Sequence, residues 1–480
     1  MSPGTLRREL HLPEAVAMSV GVMAPTLAIS VTGVAAAHEL GRAAPLAFIV
    51  AGAAVGLVAY GFVRLAGEIA SAGSVYAFVG RALSPRWGFV AGWALLGTYL
   101  VFPPVSIMGV TVFGRAFLHA TGITDNADWY PLALFGWAVI GLLASWGIRP
   151  TTRSLLLVEV VSVVLIVVLM VAIVVRLAGS GHPVAGSSGI SGRVLVLPSG
   201  VGISALALAA TSGFLAFAGF ESAASLGEET QRPTSAIPRA IWTAVAFGAG
   251  FYGLCMITQS WGFGLQPAGV AAFQNSQAPL GDLAQHFVGR WLATLLDAGA
   301  VLSAIGAGLG GVTVAARMLF AFGRDGLGAA RLADVSTRSG TPAKALAVEL
   351  LVALVLLTAF RLAGTAPLDV FFYLATLGVL SLLVMYGLTN VAALRYLAAQ
   401  RSGRTATALI PAAGVIIAGY VLYRNVWPVP PAPYEYFPYG VAGWLLLGGV
   451  LSLVLRRLDQ GGGPSSQQVE GARPTDRVEA

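Results

Sequence analysis

Glu159 and Glu221 stand inside apolar stretches of this 480-residue chain, where a carboxylate is costly unless it is used. Glu221 closely follows Gly219 within the stretch 203–226, and Glu159 lies within the stretch 153–178. A buried carboxylate can carry a proton, bind a cation or hydrogen-bond a neighbouring helix. Both glutamates are therefore candidates for proton coupling, and a structural role remains the alternative for each.

Pro25 lies near the middle of the first apolar stretch, 14–37. Proline removes a backbone donor and clashes with the preceding turn, so we expect the helix to break there. The break would expose amides that suit a carboxylate and carbonyls that suit a cation. The predicted amides are those of Thr26, Leu27 and Ala28, and the predicted carbonyls those of Gly21, Val22 and Met23. A proline kink repaired by neighbouring helices is the alternative.

The sixth apolar stretch has its own candidate break. The residues concerned are Phe217, Ala218, Gly219 and Phe220. Interrupted helices at matching positions of two halves indicate a transporter site. Because the sixth stretch comes five stretches after the first, an odd number, the halves would have opposite orientations in the membrane.

The composition excludes a soluble protein, since 57% of the residues are hydrophobic and only 10% are charged. The basic residues are Arg apart from Lys344, and they stand singly between apolar runs, which indicates membrane topology and no nucleic-acid partner. A single cysteine, Cys255, excludes an internal disulfide or a cysteine metal cluster. The five histidines show no ligand spacing, so we expect no metal and no cofactor.

The predicted fold is an all-α polytopic membrane protein with twelve transmembrane helices. The apolar runs are 14–37, 45–66, 88–116, 129–147, 153–178, 203–226, 239–260, 289–320, 342–360, 367–390, 406–424 and 437–458. With both termini cytoplasmic, 21 basic residues fall on the inner side and 7 on the outer side. We expect a multi-pass protein of the plasma (cell inner) membrane.

The domain organisation is correspondingly simple. Residues 1–458 are predicted to form one transmembrane domain, and the polar tail 459–480 to be a disordered cytoplasmic segment. A short helix is predicted around PLGDLAQHF in the outer loop 261–288.

Three segments resemble one transporter superfamily, the amino acid/polyamine/organocation (APC) superfamily. They are GFLAFAGFESAASLGEETQRPTSAIPRAI at 213–241, EIASAGSVYAFVGRALSPRWGFVAGW at 68–93 and ARMLFAFGRDGLGAARL at 316–332. The first is similar to the superfamily's sixth helix and exit loop, the second to its loop after helix 2, and the third to its segment after helix 8.

The resemblance implies a five-plus-five inverted repeat, with repeat one at 14–178, repeat two at 203–390 and two C-terminal helices at 406–458. In that superfamily the first break holds the substrate carboxylate, and carbonyls of both breaks hold its amino group. The matching amides here are those of Thr26, Leu27 and Ala28, and the matching carbonyls those of Met23, Phe217 and Ala218. Gly219 completes the second break, and Phe220 or Phe217 would act as a gate.

The chain departs from the superfamily at two places. Ala24, Pro25 and Thr26 replace a glycine/serine run at the first break. Ser162 stands at about the position of a lysine in helix 5 of proton-coupled relatives, with Glu159 one turn earlier on nearly the same face. The coupling ion is predicted to be H⁺. Na⁺ stays open, with hydroxyls of Ser303 and Thr313 as its candidate ligands.

The predicted function is secondary active transport of amino acids or related amines by alternating access, as proton-coupled uptake. Exchange and a transporter-like nutrient sensor remain open, and no cluster of histidine and acidic residues favours a membrane enzyme. The expected partners are the solute and membrane lipids, with the chain a monomer or weak homodimer. Tyr99 and Phe102, next to Pro103, are further pocket candidates.

Overall fold

A computed structural model describes most of the chain. The described ranges are 8–124, 126–146, 148–179, 181–186, 189–336, 340–399 and 405–455, so the predicted disordered tail at 459–480 lies outside them. Within these ranges the chain folds into α- and 3₁₀-helices, which confirms the all-α prediction. The α-helices are α1 (Leu12–Met23), α2 (Pro25–Leu40), α3 (Ala44–Ala66), α4 (Val75–Ala82), α5 (Pro85–Thr121), α6 (Trp129–Ser145), α7 (Ile148–Ala178), α8 (Ile203–Phe217), α9 (Pro233–Phe263), α10 (Pro267–Gln274), α11 (Pro279–Phe287), α12 (Arg290–Arg324), α13 (Ala343–Leu362), α14 (Pro367–Ala399), α15 (Thr405–Arg424) and α16 (Phe437–Val454).

The long helices are apolar enough to cross a membrane. Ten helical stretches of the described part meet that criterion, and α6 is a shorter apolar helix. The first stretch, Leu12–Ala66, contains α1, α2 and α3. Each of the twelve predicted runs falls largely on helix, while the count of twelve membrane crossings and the inverted repeat stay predictions.

The outward faces of the bundle are apolar. On α7 the side chains of Val160, Val164, Val171 and Val175 are all exposed, although each is a residue type that soluble proteins bury. An apolar face of this length requires lipid around it. The predicted membrane environment therefore agrees with the helix packing.

The interior is organised around α5 and α12, which pack along each other. α14 packs on α5, and α3 packs along α8 and α9. The last helix is held by Trp444, which stacks on Trp93 of α5 at 4.3 Å between ring centroids. Each of these indoles donates to the other residue's carbonyl, at 2.8 and 3.0 Å, so α16 is attached to the bundle by a reciprocal pair.

Short elements close the ends of the bundle. α11 confirms the helix predicted around PLGDLAQHF. At the opposite end, predicted to be cytoplasmic, Leu10 forms a bridge with Thr230. The Leu10 amide donates to the Glu229 carbonyl at 2.9 Å, and the Gln231 amide donates to the Leu10 carbonyl at 2.9 Å. The segment before α1 is thereby tied to the segment that follows the second break.

Candidate functional site

The first break is a single non-helical residue between α1 and α2. Ala24 has φ 45° and ψ 64°, a left-handed conformation that is uncommon for a residue with a Cβ, and Pro25 begins α2. Pro25 has no N–H to give to the carbonyl of Gly21, and the amides of Thr26 and Leu27 point elsewhere. The last carbonyls of α1 therefore lose their usual helical donors.

The amides at the start of α2 already have partners. The Thr26 amide donates to Oε1 of Glu159 at 2.8 Å, and the Leu27 amide donates to Oγ of Ser303 at 3.2 Å. The Ala28 amide closes the first turn of α2 on the Ala24 carbonyl at 2.8 Å. The prediction of three free amides therefore needs correction, because the helix resumes at Pro25 and two side chains fill the remaining positions.

The second break begins after Phe217, where α8 ends. Gly219 has φ 111°, which a residue with a side chain rarely adopts. A Cβ at Gly219 would lie 2.6 Å from Cγ1 of Val22 and 2.8 Å from the Met23 amide nitrogen. Only glycine lets the second break approach the first this closely.

The chain after the second break winds more tightly than an α-helix. Ser222–Leu226 is a 3₁₀-helix, and the turns around it are closed by bonds such as that from the Ser222 amide to the Gly219 carbonyl at 2.9 Å. Directly after this 3₁₀-helix the backbone packs closely on the segment after α3, since a Cβ at Gly227 would lie 2.6 Å from the Ser71 amide nitrogen.

Hydroxyl groups join the two breaks. Ser19 Oγ of α1 donates to the Phe220 carbonyl at 2.8 Å, and Ser222 Oγ donates to the Met18 carbonyl at 3.2 Å. The Phe217 carbonyl accepts the Phe220 amide at 3.2 Å. The Phe217 carbonyl thus bonds within the second break, the Phe220 carbonyl bonds to α1, and both rings are fully buried.

Glu221 is enclosed by donors and only 1% exposed. Its carboxylate accepts the Tyr99 hydroxyl at 2.8 Å, the Tyr386 hydroxyl at 3.0 Å and the Gly219 amide at 3.2 Å. It joins the second break to α5 and α14. Tyr99, predicted as a pocket residue, is a buried donor to Glu221, and Phe102 packs edge-on against Tyr99 at 5.8 Å and lies against Gly378.

Ser162 lies beside the first break. A Cβ at Gly299 of α12 would lie 2.6 Å from Ser162 Oγ and 3.9 Å from Cγ2 of Thr26. Ser162 and Glu159 therefore face α2 and α12 together, as their spacing predicts.

The buried Tyr252 hydroxyl and the buried Gln259 Oε1 of α9 have no hydrogen-bond partner. Tyr252 packs edge-on against Phe217 at 5.1 Å, and Gln259 Nε2 donates to the Ile29 carbonyl at 3.4 Å. Buried polar atoms without partners are uncommon and call for an explanation such as a ligand. Sequence patterns did not indicate Tyr252 or Gln259, because both stand in an apolar helix without a motif.

A buried ion pair closes the predicted cytoplasmic end. The Arg317 guanidinium donates to both oxygens of Glu229, at 2.6 and 2.8 Å, and Arg317 also donates to the Thr313 carbonyl at 3.2 Å. Beside it, Arg324 donates to Glu228 at 2.9 Å and to Asp325 at 3.2 Å. These residues belong to the segments at 213–241 and 316–332. Their pairing is therefore a structural role that the two segments share.

The same end includes the segment after α3. The Ala72 amide donates to Glu228 at 3.0 Å, and the Tyr76 hydroxyl donates to Asp325 at 2.9 Å. Burial and the Asp325 charge raise the pKa of Tyr76 well above its usual value, so its hydroxyl stays protonated and donates. All three segments singled out in the sequence therefore meet at one end of the bundle.

Three further polar residues lie in α12 and α13. Ser303 and Thr313 are separated by ten residues of the continuous helix α12, or about 15 Å along its axis, so they do not share one ion site. Glu349 of α13 is fully buried, and neither of its carboxylate oxygens has a partner.

A membrane-length helical bundle in which two interrupted helices meet is the architecture of a solute transporter. A sequence model of the family described as "Amino acid permease" matches residues 10–449, so the chain belongs to this family, within the APC superfamily. It is a multi-pass membrane protein.

Individual relatives are distant. The chain is 27% identical to the cationic amino acid transporter 2, vacuolar, of Arabidopsis thaliana, over 71% of this chain but only 53% of that protein. It is 25% identical to the branched-chain amino acid permease BcaP of Lactococcus lactis, over 76% of this chain and 80% of that one. It is 24% identical to the low-affinity putrescine importer PlaP of Escherichia coli K12, over 67% and 68%. These relatives are named as transporters and permeases, not enzymes.

Proposed function

We propose that this protein is a secondary active transporter of amino acids or amines, working by alternating access around the two breaks. The observation that carries the proposal is the contact between the breaks, where Gly219 lies against Val22 and Met23. The end of α1 and the start of α2 lie at this contact. The end of α1 supplies backbone carbonyls, and the start of α2 holds the Glu159 carboxylate on the Thr26 amide. In this proposal the protein lies in the plasma membrane as a monomer or weak homodimer, with both termini cytoplasmic.

The ion pair at the predicted cytoplasmic end supports the access cycle. With Arg317 bonded to Glu229, the segments following α8 and within α12 are held together at that end. Opening the site toward the cytoplasm requires this pair and the Arg324–Glu228 pair to separate. Solute would therefore enter from the opposite end and leave after these pairs part.

The names of the relatives support the solute class. They refer to cationic amino acids, branched-chain amino acids and putrescine, which share only an amino group. From these names we propose only that the solute of this protein carries an amino group. A positively charged amino group suits a site in which the C-terminal end of α1 presents carbonyl oxygens.

The proposed driving force is the proton gradient, with Glu159 and Glu221 as the groups that would carry the proton. Both are buried carboxylates in the membrane interior, where ionisable residues are commonly functional. Sodium is the alternative ion. The separation of Ser303 from Thr313 gives it no paired hydroxyl site in α12.

Uptake by the purified protein in proteoliposomes tests the proposal. We expect at least one labelled amine or amino acid to accumulate when the outside is made acid, and a protonophore to abolish that accumulation. Accumulation driven by a sodium gradient alone would contradict proton coupling. Binding of amine-bearing solutes without any flux would contradict transport and favour the sensor.

A further inference from the structure

The N-terminus of α2 holds a carboxylate that belongs to the protein itself. Glu159 is 4% exposed, and its Oε1 lies 2.8 Å from the Thr26 amide nitrogen. The next amides are bonded to Ser303 Oγ and to the Ala24 carbonyl. Because the first amides of a helix and its dipole attract one anion, the place that a solute carboxylate would take is filled by Glu159.

From this placement we infer that Glu159 is a resident counter-charge, which leaves the coupling proton to Glu221, and that the solute is an aliphatic amine without a carboxylate. The inference rests on the proposed transport function and narrows its solute class. A zwitterionic amino acid would bring a second negative charge close to Glu159 in a medium of low dielectric constant, where like charges repel strongly. An ammonium group can approach Glu159 while that carboxylate stays on the Thr26 amide.

The remaining groups around the break also suit a cation. The carbonyls at the end of α1 have lost their helical donors, and the Tyr252 hydroxyl oxygen is buried without a partner. Oxygen atoms of these kinds accept hydrogen bonds from an ammonium group. Tyr252 is near the break because its ring packs on Phe217, and a Cβ at Gly248, one turn before it, would contact both Met23 and Phe217 at 2.8 Å.

The buried basic side chain of the described bundle already has a partner. Arg317 is the one basic residue there that is buried, and Glu229 takes both sides of its guanidinium fork. The other buried carboxylate near the breaks, Glu221, is already held by three donors. The site therefore offers negative charge and oxygen acceptors, and its helix amides are occupied.

Matched solute pairs test the inference in proteoliposomes of the full-length protein. Putrescine and ornithine differ only by a carboxylate, as do 3-methylbutylamine and leucine. We expect the member without the carboxylate to inhibit uptake of a labelled amine at least about tenfold more strongly in each pair, which corresponds to about 1.4 kcal/mol. Equal or stronger inhibition by ornithine and leucine would overturn the inference while leaving amino acid transport intact.

Substitution of Glu159 identifies the cause. Glu159→Gln keeps an oxygen for the Thr26 amide but removes the charge, so putrescine uptake should fall at least about tenfold and the preference within each pair should shrink. Glu349→Gln is the matched control, since it alters a buried glutamate in α13 and should keep the preference. Unchanged preference in folded Glu159→Gln would overturn the role of Glu159. Absence of flux for every solute with wild-type protein would refute the transport function, and the inference with it.

Discussion

Replacing Gly219 by alanine is expected to abolish uptake. The new Cβ would lie 2.6 Å from Cγ1 of Val22 and 2.8 Å from the Met23 amide nitrogen, closer than real Cβ atoms come. A left-handed φ of 111° adds a backbone penalty of about 1–2 kcal/mol for a residue with a side chain. Overpacking adds about 1–3 kcal/mol, so the second break must move away from the first.

The measurement is initial uptake in proteoliposomes together with thermal unfolding in detergent. Gly56→Ala is the control, because Gly56 lies in α3 and its Cβ would meet nothing within 4 Å. That variant should transport normally and be slightly stabilised, as alanine favours helix over glycine by about 0.5–1 kcal/mol. Wild-type rates in Gly219→Ala would show that contact between the breaks is not needed for transport.

Removing one partner of the Arg317–Glu229 pair is expected to cost about 3–5 kcal/mol of unfolding free energy. The Arg317 and Glu229 side chains are 3% and 8% exposed, so either single substitution leaves an uncompensated buried charge. Arg317→Met and Glu229→Gln should each lower the melting temperature strongly. The double variant Arg317→Met/Glu229→Met should recover much of the loss, because it removes both charges.

An exposed pair provides the control. Lys344 and Asp334 are 55% and 57% exposed, and loss of such a pair changes stability by about 1 kcal/mol or less. Lys344→Met should therefore leave the melting temperature nearly unchanged. Single variants of the buried pair that melt like the wild type would show that this pair does not hold the predicted cytoplasmic end closed.

The two helix breaks and the all-α fold could be predicted from the sequence, because both depend on local chemistry. Proline lacks an N–H and glycine tolerates positive φ, so Pro25 and Gly219 indicated two special positions before any coordinates. The structure places backbone interruptions at both, with Ala24 rather than Pro25 as the non-helical residue. The long apolar stretches likewise predicted the all-α bundle.

Contacts between side chains that are distant in the sequence could not be predicted in this way. Glu159 and Thr26 are 133 residues apart, and no local pattern shows that a side chain of α7 caps α2. Arg317 and Glu229 lie within segments that were recognised by resemblance, yet the sequence did not predict that these two side chains form an ion pair. No sequence pattern indicated Tyr252 as a site residue, because its hydroxyl is unpartnered only as a result of how the helices pack.

The most direct test of the central claim is solute counterflow with the purified wild-type protein. Proteoliposomes loaded with unlabelled putrescine and diluted into a trace of labelled putrescine need no coupling ion to show carrier-mediated exchange. We predict transient accumulation of label that is absent from protein-free liposomes and lost in Gly219→Ala. Label that never exceeds equilibrium, for putrescine and for every other amine or amino acid loaded in its place, would contradict alternating access at the two breaks.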